Sequence, residues 1–191
     1  MHKRSYYMVN GITLYRMMAA PFLIFLIVNQ RPDLFKWLLA LSFFTDAIDG
    51  YLARRYKVMS VLGSKIDSIA DDLTIVVAIA GVIVFKPEFL RHEITLIILL
   101  LALFILQTIL AFIRYGTISS FHTYAAKMAA ILQGVFLLLL FFLPGPVYML
   151  FYITAIVTII DLLEEIILVL MLPQWEANVK GLYWVIKKKN Q

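Results

Sequence analysis

Residues 93–115 read EITLIILLLALFILQTILAFIRY, and this stretch decides the class of the fold. A helix that crosses the hydrocarbon core of a bilayer needs roughly 20 predominantly apolar residues. The segment has that length and is apolar almost throughout. It therefore predicts a membrane-spanning helix.

The whole chain of 191 residues has a matching composition, with 63% apolar and 15% charged residues and a mean hydropathy of +0.91. Soluble domains contain roughly 45–50% apolar and about 25% charged residues. This composition excludes a soluble single-core enzyme, a disordered tail and a nucleic-acid-binding domain. The net charge of +5 then indicates basic loops on the cytosolic membrane face rather than a nucleic-acid partner. The absence of cysteine excludes disulfides, thiolate catalysis and Cys-ligated metals.

The predicted fold is an all-α polytopic membrane protein with six transmembrane helices, forming one domain over residues 1–191. Residues 1–10 form an interfacial N-terminal segment, and residues 173–191 a basic tail that either lies on anionic lipid or only ends the last span. Lys and Arg residues are concentrated in the loops on the side of the N-terminus, which predicts that both termini are cytosolic. The predicted spans are 11–29, 34–55, 60–85, 93–115, 124–143 and 147–171.

The second and third spans are unusual because they turn polar at the ends that meet in the turn between them. Their polar residues follow helical spacing, so each set lies on one helix face. A charged side chain at the centre of a spanning helix costs roughly 2.5–3.5 kcal/mol on insertion scales. We therefore expect these residues to line an enclosed polar cavity that faces the cytosol. We call them the acidic seam: Asp46, Asp49, Gly50, Ala53, Arg54, Gly63, Asp67 and Asp71.

The four aspartates of the seam predict a metal site. Divalent cations would offset both the burial cost and the mutual repulsion, and carboxylates without Cys or clustered His select Mg²⁺ or Mn²⁺. Two such ions side by side are a common device for phosphoryl transfer. Gly50, Ala53 and Gly63 either leave room for a nucleotide or only allow close helix packing. Arg54 either binds phosphate or is a cytosolic loop charge.

Read along the chain, the seam spells Asp46-x2-Asp49-Gly50-x2-Ala53-Arg54-x8-Gly63-x3-Asp67-x3-Asp71. This pattern resembles the signature of the CDP-alcohol phosphotransferase family at every fixed position. The segment Asn10-x2-Thr13-x2-Arg16 is similar to the start of many family members. The resemblance implies a transferase of phospholipid biosynthesis that moves the phosphatidyl group of CDP-diacylglycerol to an alcohol and releases CMP.

The resemblance also implies residue roles, partners and a location. The aspartates that would hold two divalent cations are Asp46, Asp49, Asp67 and Asp71. Of these, Asp71 would be the general base on the acceptor hydroxyl. The residues that would bind the CDP part are Thr13, Gly50, Ala53, Arg54 and Gly63. We further expect a homodimer that contacts membrane lipid in a bacterial inner membrane.

The alcohol acceptor is left open by the sequence. Arg114 and Lys127 lie near the predicted cavity mouth and would suit a phosphate on the acceptor, such as that of glycerol 3-phosphate. Lys127 resembles the lysine that opens the fifth helix in phosphatidylglycerolphosphate synthases and eukaryote-type cardiolipin synthases, although a loop lysine without this role is the alternative. Ser68 is more similar to the phosphatidylserine synthase branch.

Three acids lie inside the sixth predicted span, at Asp161, Glu164 and Glu165. Ionisable residues inside a membrane indicate function by default. Two interpretations stay open: the acids pair with Arg114 or Lys127, or they shape the choice of acceptor.

Two other classes of function explain part of the pattern. A transporter or channel with an acidic path for divalent cations explains the four carboxylates, but not the small residues and Arg54 at these offsets. A membrane phosphatase is the other alternative.

Overall fold

Helices are the only regular secondary structure in the described part of the chain. The computed structural model describes the backbone of residues 18–56, 61–116, 121, 123–174 and 179–189, and their side chains except at 46–47, 49–56, 61–72 and 188–189. The helices in these ranges are α1 (Met18–Val28), α2 (Pro32–Tyr56), α3 (Val61–Phe85), α4 (Pro87–Tyr115), α5 (Tyr124–Phe142), α6 (Tyr148–Met171) and α7 (Leu182–Lys189). The chain falls into two compact units, residues 1–90 and 91–191.

The prediction of an all-α fold is confirmed, and each of the six predicted segments is helical over most of its described residues. The largest difference in bounds is at α4, which begins at Pro87 rather than at residue 93. Proline suits the first turn of a helix because the N–H that it lacks would have no partner there. The structure also adds α7, a short helix within the predicted basic tail.

Two of the described helices, α4 and α5, are long and apolar enough to cross a membrane. In the most apolar window of α4 only 11% of the residues are buried, whereas the apolar core helix of a soluble domain is mostly buried. The apolar stretches described in α1 and α3 are shorter, at Met18–Val28 and Leu73–Phe85. The composition and these two helices therefore indicate membrane association.

In the first unit, α2 and α3 contact each other. Phe35 near the start of α2 is fully buried, and its ring meets the ring of Phe85, the last residue of α3, with 5.3 Å between centroids. Because the start of one helix contacts the end of the next, α2 and α3 run antiparallel. Their other ends lie together at the four-residue connection 57–60.

In the second unit, α4 and α6 run in the same direction and α5 runs opposite to both. Near the start of α6, the Tyr152 hydroxyl donates to Glu93 of α4 at 2.8 Å. Near its end, the Tyr115 hydroxyl of α4 lies 3.1 Å from the carbonyl oxygen of Leu172. Between α5 and α6 the order of contacts reverses, with Gln133 on Thr158 at 2.9 Å and Phe136 on Phe151 at 5.2 Å between rings. The three helices of this unit therefore alternate in direction.

Candidate functional site

The acidic seam lies on helical backbone throughout, on α2 and α3, as its spacing predicts. The antiparallel pairing sets the level of each position along the two helices. Asp49 follows Phe35 by 14 positions and Asp71 precedes Phe85 by 14, which is about 21 Å along either helix. The two aspartates therefore lie at one level of the helix pair, counted from the contact between the two phenylalanines.

A second pair of positions, one helical turn nearer to the connection between α2 and α3, is also equally far from Phe35 and Phe85. Ala53 follows Phe35 by 18 positions and Asp67 precedes Phe85 by 18, about 27 Å along either helix. The packing of α2 on α3 thus brings the two halves of the motif to matching levels, although residues 57–60 separate the two helices in sequence. Side chains of the seam lie outside the described residues, as do Asn10, Thr13 and Arg16.

Arg114, a predicted acceptor-binding residue, is the penultimate residue of α4. Its Nε donates to the carbonyl oxygen of Leu172 at 3.0 Å, and Leu172 is the C-terminal cap of α6. The Tyr115 hydroxyl reaches the same oxygen and that of Val169 at 3.2 Å. Cations are favourable at helix C-termini because the last carbonyl groups carry partial negative charge. The structure therefore gives Arg114 a structural contact that the sequence did not predict.

Lys127, the other predicted acceptor-binding residue, lies in the first turn of α5 and is exposed. Its ammonium group lies 5.5 Å from the centre of the Tyr124 ring, which is within the range of a cation–π contact. Thr123 caps this helix by accepting a hydrogen bond from the N–H of Ala126 at 3.1 Å. The first turn of α5 therefore has a side-chain N-cap and carries an exposed positive charge.

Two of the three acids of α6, Glu164 and Glu165, have backbone partners. Glu165 accepts a hydrogen bond from the N–H of Phe121 at 3.1 Å, and Glu164 accepts one from the N–H of Leu182 at 2.8 Å. Within the described residues, neither Arg114 nor Lys127 forms an ion pair with these acids, so the interpretation that the acids pair with these two basic residues is not borne out there. Both carboxylates are instead occupied by hydrogen bonds from backbone N–H groups of other segments.

The third acid, Asp161, is buried, and its Oδ1 has no hydrogen-bond partner in the structure. It lies one turn before Glu165 on the buried face of α6. In the part of the chain whose side chains are described, no three acidic or histidine side chains converge as a metal site.

Phe121 and Tyr124 contact Val179 and Lys180, a feature that the sequence analysis missed. We call these residues, together with Gly181 and Leu182, the tail–loop junction. The N–H of Val179 donates to the carbonyl of Phe121 at 3.1 Å, and the N–H of Tyr124 donates to the carbonyl of Lys180 at 3.3 Å. Phe121 and Val179 belong to one buried apolar cluster with Ala111 and Leu168. Gly181, which precedes an apolar run, was the one local signal of a turn here.

Comparison with known proteins supports the resemblance. The sequence model described as CDP-alcohol phosphatidyltransferase matches residues 6–170. The chain is 36% identical over 66 residues to CDP-diacylglycerol--inositol 3-phosphatidyltransferase of Saccharomyces cerevisiae, covering 35% of this chain and 30% of the yeast protein. It is 27% identical over 81 residues to CDP-diacylglycerol--glycerol-3-phosphate 3-phosphatidyltransferase of Haemophilus influenzae, covering 41% and 44%. The chain thus aligns with less than half the length of these curated relatives, and no solved structure matches it.

Proposed function

Because the chain belongs to the CDP-alcohol phosphatidyltransferase family, we propose that it transfers the phosphatidyl group of CDP-diacylglycerol to an alcohol and releases CMP. The observation that carries the proposal is the pairing of α2 with α3. The pairing brings the first half of the family pattern, around Asp49, to the level of the second half, around Asp71. A motif split over two helices needs such pairing to act as one site.

The donor set of the seam fits two divalent cations, Mg²⁺ or Mn²⁺, because four carboxylates without sulfur ligands suit hard ions. We propose Asp46, Asp49, Asp67 and Asp71 as their ligands. When bound, the cations supply neutralisation of the charge that develops on the pyrophosphate. Thr13, Gly50, Ala53, Arg54 and Gly63 are proposed to bind the CDP part.

The proposed transfer needs no reactant other than CDP-diacylglycerol and the alcohol. The acceptor hydroxyl oxygen forms a bond to the phosphorus of the phosphatidyl group, and the bond from that phosphorus to the CMP oxygen breaks. CMP leaves with the electron pair of that bond. Asp71 accepts the proton of the acceptor hydroxyl as the attack proceeds. Arg54 carries a positive charge that suits the phosphates of the donor.

The acceptor is proposed to be a small polar alcohol that enters from the cytosol. Inositol and glycerol 3-phosphate are the first candidates, because the two relatives are named for these acceptors. The exposed ammonium of Lys127, in the first turn of α5, suits a phosphate on the acceptor. Serine is the candidate of the alternative branch that Ser68 favours.

We also propose that all six segments span the membrane, with the cavity facing the cytosol of a bacterial inner membrane and the protein forming a homodimer. The alternation of α4, α5 and α6 supports several crossings. The excess of Lys and Arg in loops on the N-terminal side supports the orientation. The dimer rests on the family resemblance alone, and light scattering in detergent tests it.

The test is CMP release by the purified protein in lipid vesicles. CDP-diacylglycerol and Mg²⁺ or Mn²⁺ are combined with glycerol 3-phosphate, inositol, inositol phosphate, serine or phosphatidylglycerol, one at a time. We expect one of these alcohols to release CMP and a metal chelator to abolish the release. Hydrolysis of CDP-diacylglycerol without any acceptor would instead indicate a phosphatase. Cation flux without CDP-diacylglycerol would indicate a transporter.

A further inference from the structure

The tail–loop junction connects the end of the chain to the start of α5. Glu165 holds the loop side at Phe121, and Glu164 holds the tail side at Leu182. Two consecutive acids of α6 thus form hydrogen bonds to two segments that are distant in sequence, one before α5 and one at the start of α7. The carboxylate of Glu164 also lies at the N-terminus of α7, where negative charge is favourable.

A row of side chains continues from the junction to the predicted acceptor-binding lysine. The ring of Trp184 in α7 lies 5.5 Å from the ring of Tyr124. The ammonium of Lys127 lies 5.5 Å from the centre of the same Tyr124 ring. Trp184, Tyr124 and Lys127 are therefore connected by direct contacts, so a change in the position of α7 changes the surroundings of the ammonium.

The helix α7 has an inward and an outward face. Leu182 and Val185 pack against the apolar cluster beneath, whereas Tyr183 is 66% and Ile186 is 42% exposed. The helix ends in three consecutive lysines, 187–189. Aromatic and apolar side chains beside a lysine cluster are typical of segments that bind an anionic bilayer surface. The occupant of this face that fits both the charge and the aromatic residues is therefore anionic lipid.

We propose that α7 binds the anionic surface of the bilayer and thereby positions Lys127 for the acceptor, through the contacts of Trp184 and Tyr124. The inference rests on the proposed transferase function. Trp184 and Glu164 are positioning residues in this account, since neither contacts the reacting atoms. Anionic lipid then acts on the affinity for the acceptor rather than on the chemical step.

The activity test compares the full-length protein in vesicles of phosphatidylcholine alone and of phosphatidylcholine with phosphatidic acid, which is neither substrate nor product of the proposed transfer. The acceptor is whichever of glycerol 3-phosphate and the other alcohols releases CMP. We expect phosphatidic acid to lower the acceptor KM about two- to five-fold with kcat unchanged. The triple variant with Lys187, Lys188 and Lys189 replaced by Gln loses this response, whereas the control Arg91→Gln, which removes an exposed charge at the start of α4, retains it.

Two further variants separate positioning from folding. Trp184→Ala is expected to raise the acceptor KM in both vesicles with kcat unchanged, and Trp184→Phe, which keeps a ring against Tyr124, to restore it. The inference is overturned if Trp184→Ala and Trp184→Phe lose kcat equally. It is also overturned if the response to phosphatidic acid remains in the triple lysine variant. If CMP is released with the same acceptor KM in both kinds of vesicle, the inference is overturned but the proposed function is not. No CMP release from any vesicle overturns the proposed function and, with it, the positioning of an acceptor.

Surface binding by α7 has a readout that is independent of activity. Replacing Trp37 and Trp175 by Phe leaves Trp184 as the single tryptophan of the chain. We expect brominated phosphatidic acid to quench its fluorescence more strongly than brominated phosphatidylcholine, and this difference to vanish in the triple lysine variant. Equal quenching by the two lipids contradicts the proposal.

Discussion

Replacing Glu165 by Ala tests whether the acids of α6 stabilise the tail–loop junction. Glu165 is buried, and it accepts a hydrogen bond from the N–H of Phe121, which is fully buried. Without the carboxylate this N–H is left without the partner that the structure shows, and an unsatisfied buried donor costs about 1–3 kcal/mol. At about 2–4 °C per kcal/mol for a chain of this size, we expect Tm to fall by about 2–12 °C.

Glu165→Gln provides the graded comparison for this prediction. The amide keeps an oxygen that accepts the hydrogen bond but loses the charge, and hydrogen bonds to charged groups are stronger than neutral ones by about 1 kcal/mol. We therefore expect the order of stability to be wild type, then Gln, then Ala. The matched control is Glu88→Ala, which removes an exposed glutamate from the first turn of α4.

The assays are thermal unfolding in detergent and hydrogen exchange at the Phe121 amide. The exchange rate at Phe121 should rise in Glu165→Ala and stay unchanged in the Glu88 variant. If the Ala variant unfolds at the wild-type temperature and its Phe121 amide remains protected, the reasoning is refuted. A Gln variant that is as unstable as the Ala variant would show that the charge, rather than the hydrogen bond, dominates.

Four further predictions concern the seam, the α5 cap, the turn before α7 and a glycine within α5. Asp71→Asn should abolish CMP release, whereas Asp72→Asn, whose side chain is expected about 100° around the helix, should retain it; equal activity of the two variants would contradict the seam. Thr123→Val should lower stability by about 1 kcal/mol through loss of the N-cap, and Thr123→Ser, which keeps the hydroxyl, should restore it in the same unfolding assay. Gly181→Ala should cost about 1–3 kcal/mol, because its φ of +147° disfavours a side chain and a Cβ there would meet Glu164 Oε1 at 3.0 Å. Gly134→Ala should instead stabilise by about 0.5–1 kcal/mol, because a Cβ at that helical position meets nothing within 4 Å, and destabilisation there would count against this reading of the two glycines.

The positions of the helices could be predicted from the sequence because apolar length and helical spacing are local properties of a segment. The spacing of Asp46 and Asp49, and of Asp67 and Asp71, placed these residues on two helices, and α2 and α3 are helical over those positions. Their roles as metal ligands and base stay predictions. The structure adds that the two helices are antiparallel with Asp49 and Asp71 at one level.

The partners of Arg114 in α4 and of the acids in α6 could not be predicted from the sequence. Arg114 Nε donates to a backbone carbonyl at the end of α6, and its role towards the acceptor stays a prediction. Two interpretations were open for Glu164 and Glu165, and the structure does not show pairing with Arg114 or Lys127, because both carboxylates accept backbone N–H groups. Sequence spacing shows which face of a helix carries a charge, but it does not show which unpaired backbone group another segment brings to that face.

By itself, the sequence determined the all-helical class, the membrane association and the family, because these follow from apolar segments and from a motif of fixed spacing. Only the tertiary structure decided that residues 179–182 return to the loop before α5. That return brings the Val179 N–H to the carbonyl of Phe121, which lies 58 positions earlier in the chain. Contacts of such separation depend on how whole helices pack, and no local pattern around either residue encodes them.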